Sequence, residues 1–483
     1  MFRRSHRRVV RTTGPAAAVV ALLALGGCVN FIPAYERPIA PVAPTYAPEL
    51  APAGTLGLAA AADTPWQLFF ADPRLKRLID LALQNNRDLR VAILSIEQAR
   101  ASYRIQRADE LPSLGAGVQA QRQPGGAGSI GTTYSVGLQV TSYELDFFGR
   151  VRALSQAALS QFLATEEARR TTQIALVAGV ATTYVSLLAD DELLRVTREA
   201  LQTREDSYRL TRLRFDNGAS SEVDVRQAEQ LLETAKAALA QTLRQKALDE
   251  NALALLVGQP LPADLPGPLP LWAQQGVTDL PAGLPSDLLI RRPDVLSAEQ
   301  QLLAANANIG AERAAFFPRI ALTASAGTAS SELSGLFKSG TWALTGAARL
   351  LQPIFDAGRN QANLDAARIG RDIAIARYER AIQTAFREVS DALAGRAMLG
   401  EQLRAQAAVA TAAQANVRLA DLRYRNGASS YFDLLDAQRT LFTAQQQTVQ
   451  TQALQIQNLV TLYKVLGGGW TPPPRLPPSV TQN

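Results

Sequence analysis

The sequence predicts a mostly α-helical chain with a smaller β part, built from one unit that occurs twice. The segment Leu213–Ser221 returns as Leu422–Ser430, and the offset of 209 positions holds without a gap as far as Gly258 and Gly467. Each half also contains two stretches in which apolar and polar residues alternate with the period of two that β-strands require. Two long tracts without proline supply the main helices. A repeat of roughly 200 residues favours two pseudo-equivalent halves around a common axis over a solenoid.

The N-terminus predicts an export signal over residues 1–27 that ends at a cysteine. Five arginines precede a short apolar run, which is too short to remain as a membrane span. The sequence Leu25-Gly26-Gly27-Cys28 is typical of a bacterial lipobox, so we expect Cys28 to carry a covalent lipid. Residues 28–65, rich in proline and alanine, are then an extended, lipid-anchored segment. The alternative is an ordinary signal peptide with an incidental cysteine.

Composition argues against an enzyme and against a nucleic-acid-binding protein. The formal net charge of +6 falls to +1 once the five signal arginines are removed (6 − 5), so a basic surface is not predicted. The only histidine, His6, leaves with the signal, and Cys28 is the only cysteine. Catalysis by Ser/His or Cys/His groups and metal sites built from histidine or cysteine are thereby excluded. No nucleotide-binding motif is present, and a carboxylate-based hydrolase has no supporting cluster. We expect no metal and no cofactor beyond the lipid.

The first repeat is predicted over residues 66–258. A helical pattern from Leu75 to about Ala108 is followed by strands at about 113–122 and 133–144. The proline-free tract 150–215 then forms a helix that would extend roughly 100 Å. An Asn-Gly turn reverses the chain into a return helix that ends near Gly258. A proline-rich linker covers residues 259–285.

The second repeat, residues 286–467, follows the same plan. Its strands are predicted at about 319–328 and 341–351, its long helix over 359–424, and its return helix up to Gly467. Residues 468–483 form a C-terminal tail. Taken alone, the long helices would also suit a plain coiled-coil scaffold.

The strands have the length of tilted transmembrane β-strands, about ten residues. Tyr134 and Trp342 begin the returning strands at equivalent places, as aromatic residues at a membrane interface would. Four strands cannot close a barrel, and open edges are not tolerated in hydrocarbon, so if these strands span the membrane, several chains must share one barrel. A soluble sandwich with one wet face is the alternative.

Three segments carry a resemblance to a known family. They are Gly283–Asp294 with its continuation through Glu299, and the two strand-to-helix junctions Tyr143–Arg150 and Pro353–Arg359. With them, the chain resembles the TolC-type outer membrane factors, most closely their lipoprotein branch of NodT- and OprM-like efflux proteins. The resemblance covers essentially the whole mature chain.

The resemblance implies a homotrimer in the outer membrane of a Gram-negative bacterium. Each chain would give four strands to a shared 12-stranded β-barrel, continued by a trimeric α-helical barrel through the periplasm. The duct would passively conduct drugs or small molecules from an inner-membrane pump, of the RND type, through a periplasmic adaptor (membrane fusion) protein. Two alternatives stay open: a duct for type I protein secretion, and a lipid-anchored periplasmic coiled-coil scaffold. Neither the substrate nor the partner pump is predicted.

The resemblance also implies roles for the two Asn-Gly turns. Asn217-Gly218 and Asn426-Gly427 are similar to the helix tips that contact the adaptor. Tight turns between helices favour Asn and Gly because both tolerate positive φ, so simple helix reversal is part of their role in any case.

Five further residues match the periplasmic gate of the family. Asp433 and Asp436 resemble the acidic constriction, and their i, i+3 spacing puts both on one helix face. Arg439, one turn on, is a plausible partner for Asp436. Tyr424 and Asp224 match residues that link the helices in the closed state. The alternative is that the acids only cap or solvate the start of the return helix.

Overall fold

The computed structural model describes residues 30–46, 64–124, 130–274 and 291–470. Cys28, most of the signature Gly283–Asp294 and the end of the tail lie outside the described residues. Within the described ranges the chain forms four β-strands, two single 3₁₀ turns and eight α-helices. The strands are β1 (Gly115–Pro124), β2 (Ile130–Leu145), β3 (Arg319–Ser330) and β4 (Trp342–Leu351). The helices are α1 (Trp66–Phe69), α2 (Pro73–Asn85), α3 (Arg87–Ala108), α4 (Arg150–Asp216), α5 (Glu222–Val257), α6 (Pro293–Ala314), α7 (Arg359–Arg425) and α8 (Tyr431–Val465).

The four strands form one antiparallel sheet in the order β1-β2-β3-β4. Pairing of β2 with β3 joins the hairpins of the two repeats, and its register shifts between Val140 and Tyr143. Gly137 lies opposite both Gly117 on β1 and Gly327 on β3, so three glycines stand in a row across the sheet. Within the described chain, β1 and β4 have one neighbouring strand each. They are therefore edge strands whose outer backbone groups are available for pairing.

The long helices α4 and α7 contain 67 residues each, which corresponds to roughly 100 Å. The return helices α5 and α8 contain 36 and 35 residues. Part of α4 is apolar enough, over a sufficient length, to cross a membrane, but 61% of that stretch is buried. Burial against other helices is therefore a sufficient explanation for its apolar composition.

The chain divides into two compact units, and each takes segments from both repeats. The first unit holds the sheet and comprises residues up to 38, 97–164 and 299–377. The second comprises 39–96, 165–298 and the chain from 378 onward. The repeat boundaries of the sequence therefore differ from the boundaries of the compact units. The reason is that α4 and α7 each run through both units.

In the first unit, the segment that follows the lipobox is fastened to α6. Phe31 stacks on Phe317 at 4.7 Å between ring centroids, and Phe317 stacks on Phe148 at 4.9 Å. Arg37 forms an ion pair of 2.8 Å with Glu299, whose side chain is only 7% exposed. Phe31 is thus held where the strands meet the helices, and Arg37 is held further back, in the first half of α6.

In the second unit, two buried charged residues hold the helices together. Asp72 is fully buried and accepts hydrogen bonds from the Tyr184 hydroxyl (2.9 Å), the Gln274 amide and the Leu269 N–H (3.0 Å). Proximity to this carboxylate and burial of the phenol raise the pKa of Tyr184, with burial the larger cause. A buried carboxylate with this many donors is satisfied and structural.

Arg292, in the family signature, has the same bridging role. It donates to Asp294 (2.6 Å), to Glu388 on α7 (2.8 Å) and to the carbonyl of Val465 at the end of α8 (3.2 Å). The signature therefore ties the start of α6 to both helices of the second repeat.

Candidate functional site

Both Asn-Gly turns have the same backbone geometry. Gly218 has φ 72° and Gly427 has φ 68°, and each N–H donates to the carbonyl three residues before it. The amides of Asn217 and Asn426 each donate back to a carbonyl of the preceding helix at 2.7 Å. The sequence folds this way because glycine adopts positive φ without steric cost and asparagine satisfies a terminal carbonyl.

A capping box starts each return helix. Ser221 and Asp224 cap α5, and Ser430 and Asp433 cap α8, with each serine side chain and each acid bonded to the other residue's N–H. For Asp224, partial desolvation alone would raise the pKa, but hydrogen bonds from Ser221 and Ser220 outweigh it and the pKa is lowered. Both acids thus have a local structural role at the tips.

The repeats differ in how these acids are held. Ser220 Oγ donates to Asp224 at 3.0 Å, whereas the equivalent Ser429 Oγ is buried and makes no hydrogen bond. Asp433 therefore has one hydrogen-bonding side chain fewer than Asp224. Its side chain is exposed at the tip.

Asp436 and Arg439 are paired, as their spacing suggests. The Arg439 guanidinium donates to the Asp436 carboxylate along α8, and the side chains are 65% and 47% exposed respectively. Asp433 forms no ion pair within the described residues. Of the two acids, Asp433 thus carries the uncompensated negative charge.

Tyr424 contacts an arginine that the sequence did not single out. Arg214 Nη1 donates to the Tyr424 hydroxyl at 2.6 Å, and the guanidinium carbon lies 5.0 Å from the centre of the Tyr424 ring. Arg214 belongs to α4 and Tyr424 to α7, so the contact joins the two repeats one turn from their tips. Asp224, which was grouped with Tyr424, bonds its own capping box instead.

A small apolar cluster lies directly behind this contact. Tyr431 packs at 5.1 Å from Tyr424, and it is buried together with Ala228, Leu434 and Leu435. Burial raises the pKa of Tyr431, whose hydroxyl faces Ser207 and Thr211 of α4 without a hydrogen bond of ordinary geometry. The cluster brings α4, α5, α7 and α8 together at the tips.

A family model for outer membrane efflux proteins matches residues 78–259 and 284–468, one match for each repeat. The chain belongs to the outer membrane efflux protein family. The predicted family and the predicted location, the outer membrane with an extension into the periplasm, are confirmed, as is the role of an efflux duct. The family is one of outer membrane efflux channels.

Relatives of known name agree over nearly the whole length. The chain is 49% identical over 461 residues to the solvent efflux pump outer membrane protein SrpC of Pseudomonas putida, covering 93% of this chain and 97% of SrpC. It is 45% identical over 472 residues to the outer membrane protein OprJ of Pseudomonas aeruginosa, covering 94% and 96%.

A solved channel has the same fold. The open state of the Neisseria gonorrhoeae MtrE outer membrane channel is similar with a TM-score of 0.83 and 42% identity, covering 91% of this chain and 98% of MtrE. The predicted fold class, mostly helical with an antiparallel β part, is confirmed.

The efflux protein thus carries at its tips two residues that sequence reasoning missed, Arg214 and Tyr431. Alignment of the two repeats could have pointed to the contacts of both residues. Tyr424 stands where the first repeat has Phe215, and Tyr431 stands where it has Glu222. The second repeat thus has a hydroxyl group at the first position and lacks an acid at the second. At these two positions the tips are not equivalent.

Proposed function

We propose that three copies of this chain form the duct, with β4 of one copy pairing with β1 of the next. The edge strands carry this proposal, because four strands cannot close a barrel and hydrocarbon does not tolerate open edges. A closed barrel of 12 strands in all follows from three copies, continued by the long helices as a helical barrel. The light-scattering mass of the detergent-solubilised protein tests the number of copies, and a monomer or dimer that conducts would contradict it.

The duct accepts small apolar molecules and drugs delivered by an inner-membrane pump of the RND type. The names of the relatives support this substrate class, since they include a solvent, a toluene and an antibiotic efflux protein. These names favour small-molecule efflux over type I protein secretion. The test is the accumulation of an apolar dye in a Gram-negative host lacking its own outer-membrane duct, with and without this chain and its cognate pump.

The tips carry the gate, and Asp433 is its main charge. In a trimer, three Asp433 carboxylates would form an unpaired acidic ring, whereas each Asp436 is compensated by Arg439. Such a ring attracts cations and repels itself. We therefore expect Asp433→Ala to reduce cation selectivity more than Asp436→Ala, and Arg439→Ala to increase it.

Single-channel recording in planar bilayers separates these expectations. The matched control is Asp365→Ala, which breaks an i, i+3 pair with Arg368 on α7, far from the tips in sequence. A loss of cation selectivity that is largest in Asp433→Ala, smaller in Asp436→Ala and absent from the control supports the gate. Equal changes in the control, or none in any variant, would place the gate elsewhere.

The Asn-Gly tips are the surface for the periplasmic adaptor. Both glycines have open space where a Cβ would stand, so the turns are accessible in the described chain. The test is cross-linking of a cysteine placed at Ala219 or Ala428 to the adaptor, with exposed Ala247 on α5 as the control position. Cross-linking at Ala247 alone would overturn this surface.

Lipidation of Cys28 fixes the chain to the outer membrane. The contacts of residues 30–37 with α6 support lipidation. They hold the chain just after Cys28 at the end of the first unit that lies nearest the strands. Mass spectrometry of the mature N-terminus tests it. An unmodified cysteine would contradict it.

A further inference from the structure

A groove of about 240 Å³ in the second unit carries a buried positive charge. We call it the Arg204 groove; its walls come from α4 (Arg204), α7 (Gln414 and Val417) and α8 (Gln438 and Phe442). It lies 14 residues before Gly218 on α4, or roughly 20 Å along the helix. Since α4 belongs to the first repeat and α7 and α8 to the second, the groove lies where the two repeats meet.

Arg204 is buried without an anionic partner. The residue is 4% exposed, its Nη1 donates to the Leu231 carbonyl at 3.2 Å, and its guanidinium lies 4.9 Å from the centre of the Phe442 ring. No carboxylate pairs with it among the described residues, and Glu199, the acid on the wall, is paired with Arg195. Burial lowers the pKa of Arg204. A guanidinium has five N–H donors, and within the described residues Arg204 makes the one hydrogen bond to Leu231.

Gln438 is a second group with unmet bonding capacity on the same wall. Its side-chain oxygen is buried and accepts no hydrogen bond. A buried acceptor left without a donor costs free energy, as does a buried cation without an anion. Val417, Leu441 and Phe442 form an apolar part of the wall, and the rest of the lining is mixed, with Ala200 beside the polar side chains Glu199, Thr203, Gln414 and Gln445.

We propose that the Arg204 groove binds a small aromatic carboxylate that also carries a hydroxyl group. The carboxylate accepts two parallel hydrogen bonds from Arg204, the geometry that guanidinium groups favour. The hydroxyl donates to Gln438, and the ring packs on Val417, Leu441 and Phe442. The bound molecule would bridge the two repeats behind the tips. This site does not depend on what the duct conducts.

Calorimetric titration of the full-length protein in detergent tests the site with three probes. They are 4-hydroxybenzoate, benzoate without the hydroxyl, and phenol without the carboxylate. We expect 4-hydroxybenzoate to bind most tightly, benzoate more weakly, and phenol weakest. Arg204→Gln should weaken both acids by about tenfold or more, the usual effect of losing a charge-assisted bond. Gln438→Leu should remove only the advantage of 4-hydroxybenzoate over benzoate.

Two controls separate binding from misfolding. Arg209→Gln, at a 75% exposed side chain on the same helix, should leave all affinities unchanged. Arg204→Lys keeps the charge and should retain part of the affinity for benzoate. Circular dichroism reports whether each variant is folded.

Any of the following results would overturn the proposal. The first is equal affinity for phenol and 4-hydroxybenzoate, or no binding of either acid by the wild type. The second is unchanged affinity for the acids in folded Arg204→Gln. The third is loss of adaptor binding in Arg204→Gln without any binding of the acids, which would assign Arg204 to a carboxylate of a protein partner.

Discussion

Arg214 holds Tyr424 in two ways, by a hydrogen bond of 2.6 Å to the hydroxyl and by a guanidinium 5.0 Å from the centre of the ring. The two residues are 210 positions apart and belong to different repeats. Tyr424 in turn packs on Tyr431, which is buried among residues of α5 and α8. Movement of one tip relative to the other must therefore break or stretch the Arg214–Tyr424 contact.

The first prediction concerns this hydroxyl. Tyr424→Phe keeps the ring and its packing but removes the hydrogen bond, and it recreates the residue of the first repeat at this position. A hydrogen bond to a charged donor contributes about 1.5–3 kcal/mol, so the arrangement of the tips that this contact holds, which the proposed gate takes as closed, should become less populated by about one to two orders of magnitude. Single-channel recordings should show more frequent openings.

Arg423→Gln is the matched control, because Arg423 is the counterpart of Arg214 in the second repeat. In the part of the chain that the structure describes, its guanidinium bonds the carbonyl of Ala428, at 3.4 Å within its own turn, and no residue of the first repeat. We expect openings at the wild-type frequency. An equal increase in both variants would mean that charge at the tips, and not the contact between the repeats, sets the frequency.

The tip turns were predictable because they are encoded locally. Five residues contain all that the first turn needs: Asn217-Gly218-Ala219-Ser220-Ser221. They supply a glycine with positive φ, an amide that bonds the preceding helix and a serine that caps the next one, independently of the rest of the chain. The strands were similarly accessible, since period-two alternation needs no knowledge of partners. β1 nevertheless begins at Gly115, two residues later than expected, and β2 begins at Ile130, three residues earlier.

Arg204 and Arg214 were not predictable in this way. The bonding partners of these arginines, Leu231 and Tyr424, lie 27 and 210 residues away. The side of a straight helix on which a heptad position lies rotates by about 20° per heptad. Over a 67-residue helix this rotation accumulates, and it decides which face meets a neighbouring helix. Alternation over about 4–8 residues is enough to locate a strand, but no segment of that length shows which arginine of α4 faces the neighbouring helices.

The second prediction concerns Asp190, a buried acid on α4. Burial, followed by the nearby carboxylates of Asp249 and Asp191, raises the pKa of Asp190 to about 7 from 3.8. Since the folded state holds this proton more tightly than the unfolded chain does, the free energy of unfolding should fall as pH rises from about 4 to about 7. Lys246 opposes the shift but is already paired with Asp191 at 2.5 Å.

Asp190→Asn removes the charge that the fold disfavours, so the variant should be more stable than the wild type at pH 8 and about equal to it near pH 4. Thermal unfolding at several pH values measures the difference. Asp191→Asn is the neighbouring comparison: it relieves part of the repulsion on Asp190 but leaves Lys246 without its closest partner, so it should gain less stability at pH 8 than Asp190→Asn does. Parallel pH curves for the wild type and Asp190→Asn would show that Asp190 does not cause the dependence.

The third prediction concerns the row of glycines in the sheet. A Cβ at Gly137 would fall inside contact distance of the Ala326 carbonyl oxygen and of the Gly327 Cα on β3. Gly137→Ala should therefore cost about 1–3 kcal/mol, the usual penalty of overpacking, and should lower the yield of trimer resistant to detergent. Gly346→Ala on β4 is the control, because its nearest atom, the Thr323 carbonyl oxygen, is 4.0 Å away. Equal trimer yields for the two variants would contradict a close approach at Gly137.

The fourth prediction separates the two roles of the tip glycines. Gly218 has φ 72° and nothing within 4 Å of the place of a Cβ, so the cost of a substitution there comes from the backbone alone. Gly218→Ala should destabilise the turn by about 1 kcal/mol, whereas Gly218→Asn should cost less because asparagine tolerates the left-handed region. Thermal unfolding measures that difference.

Adaptor affinity, measured on the same two variants, then distinguishes contact from helix reversal. If the adaptor packs on the open space at Gly218, both variants should bind it more weakly, since both place a side chain there. If the glycine serves only the turn, the affinity of Gly218→Asn should equal that of the wild type, and the proposed contact at this tip would be wrong. Gly358→Asn supplies the control, because that glycine has φ 86° and equally open surroundings but precedes α7, at the opposite end of that helix from Gly427.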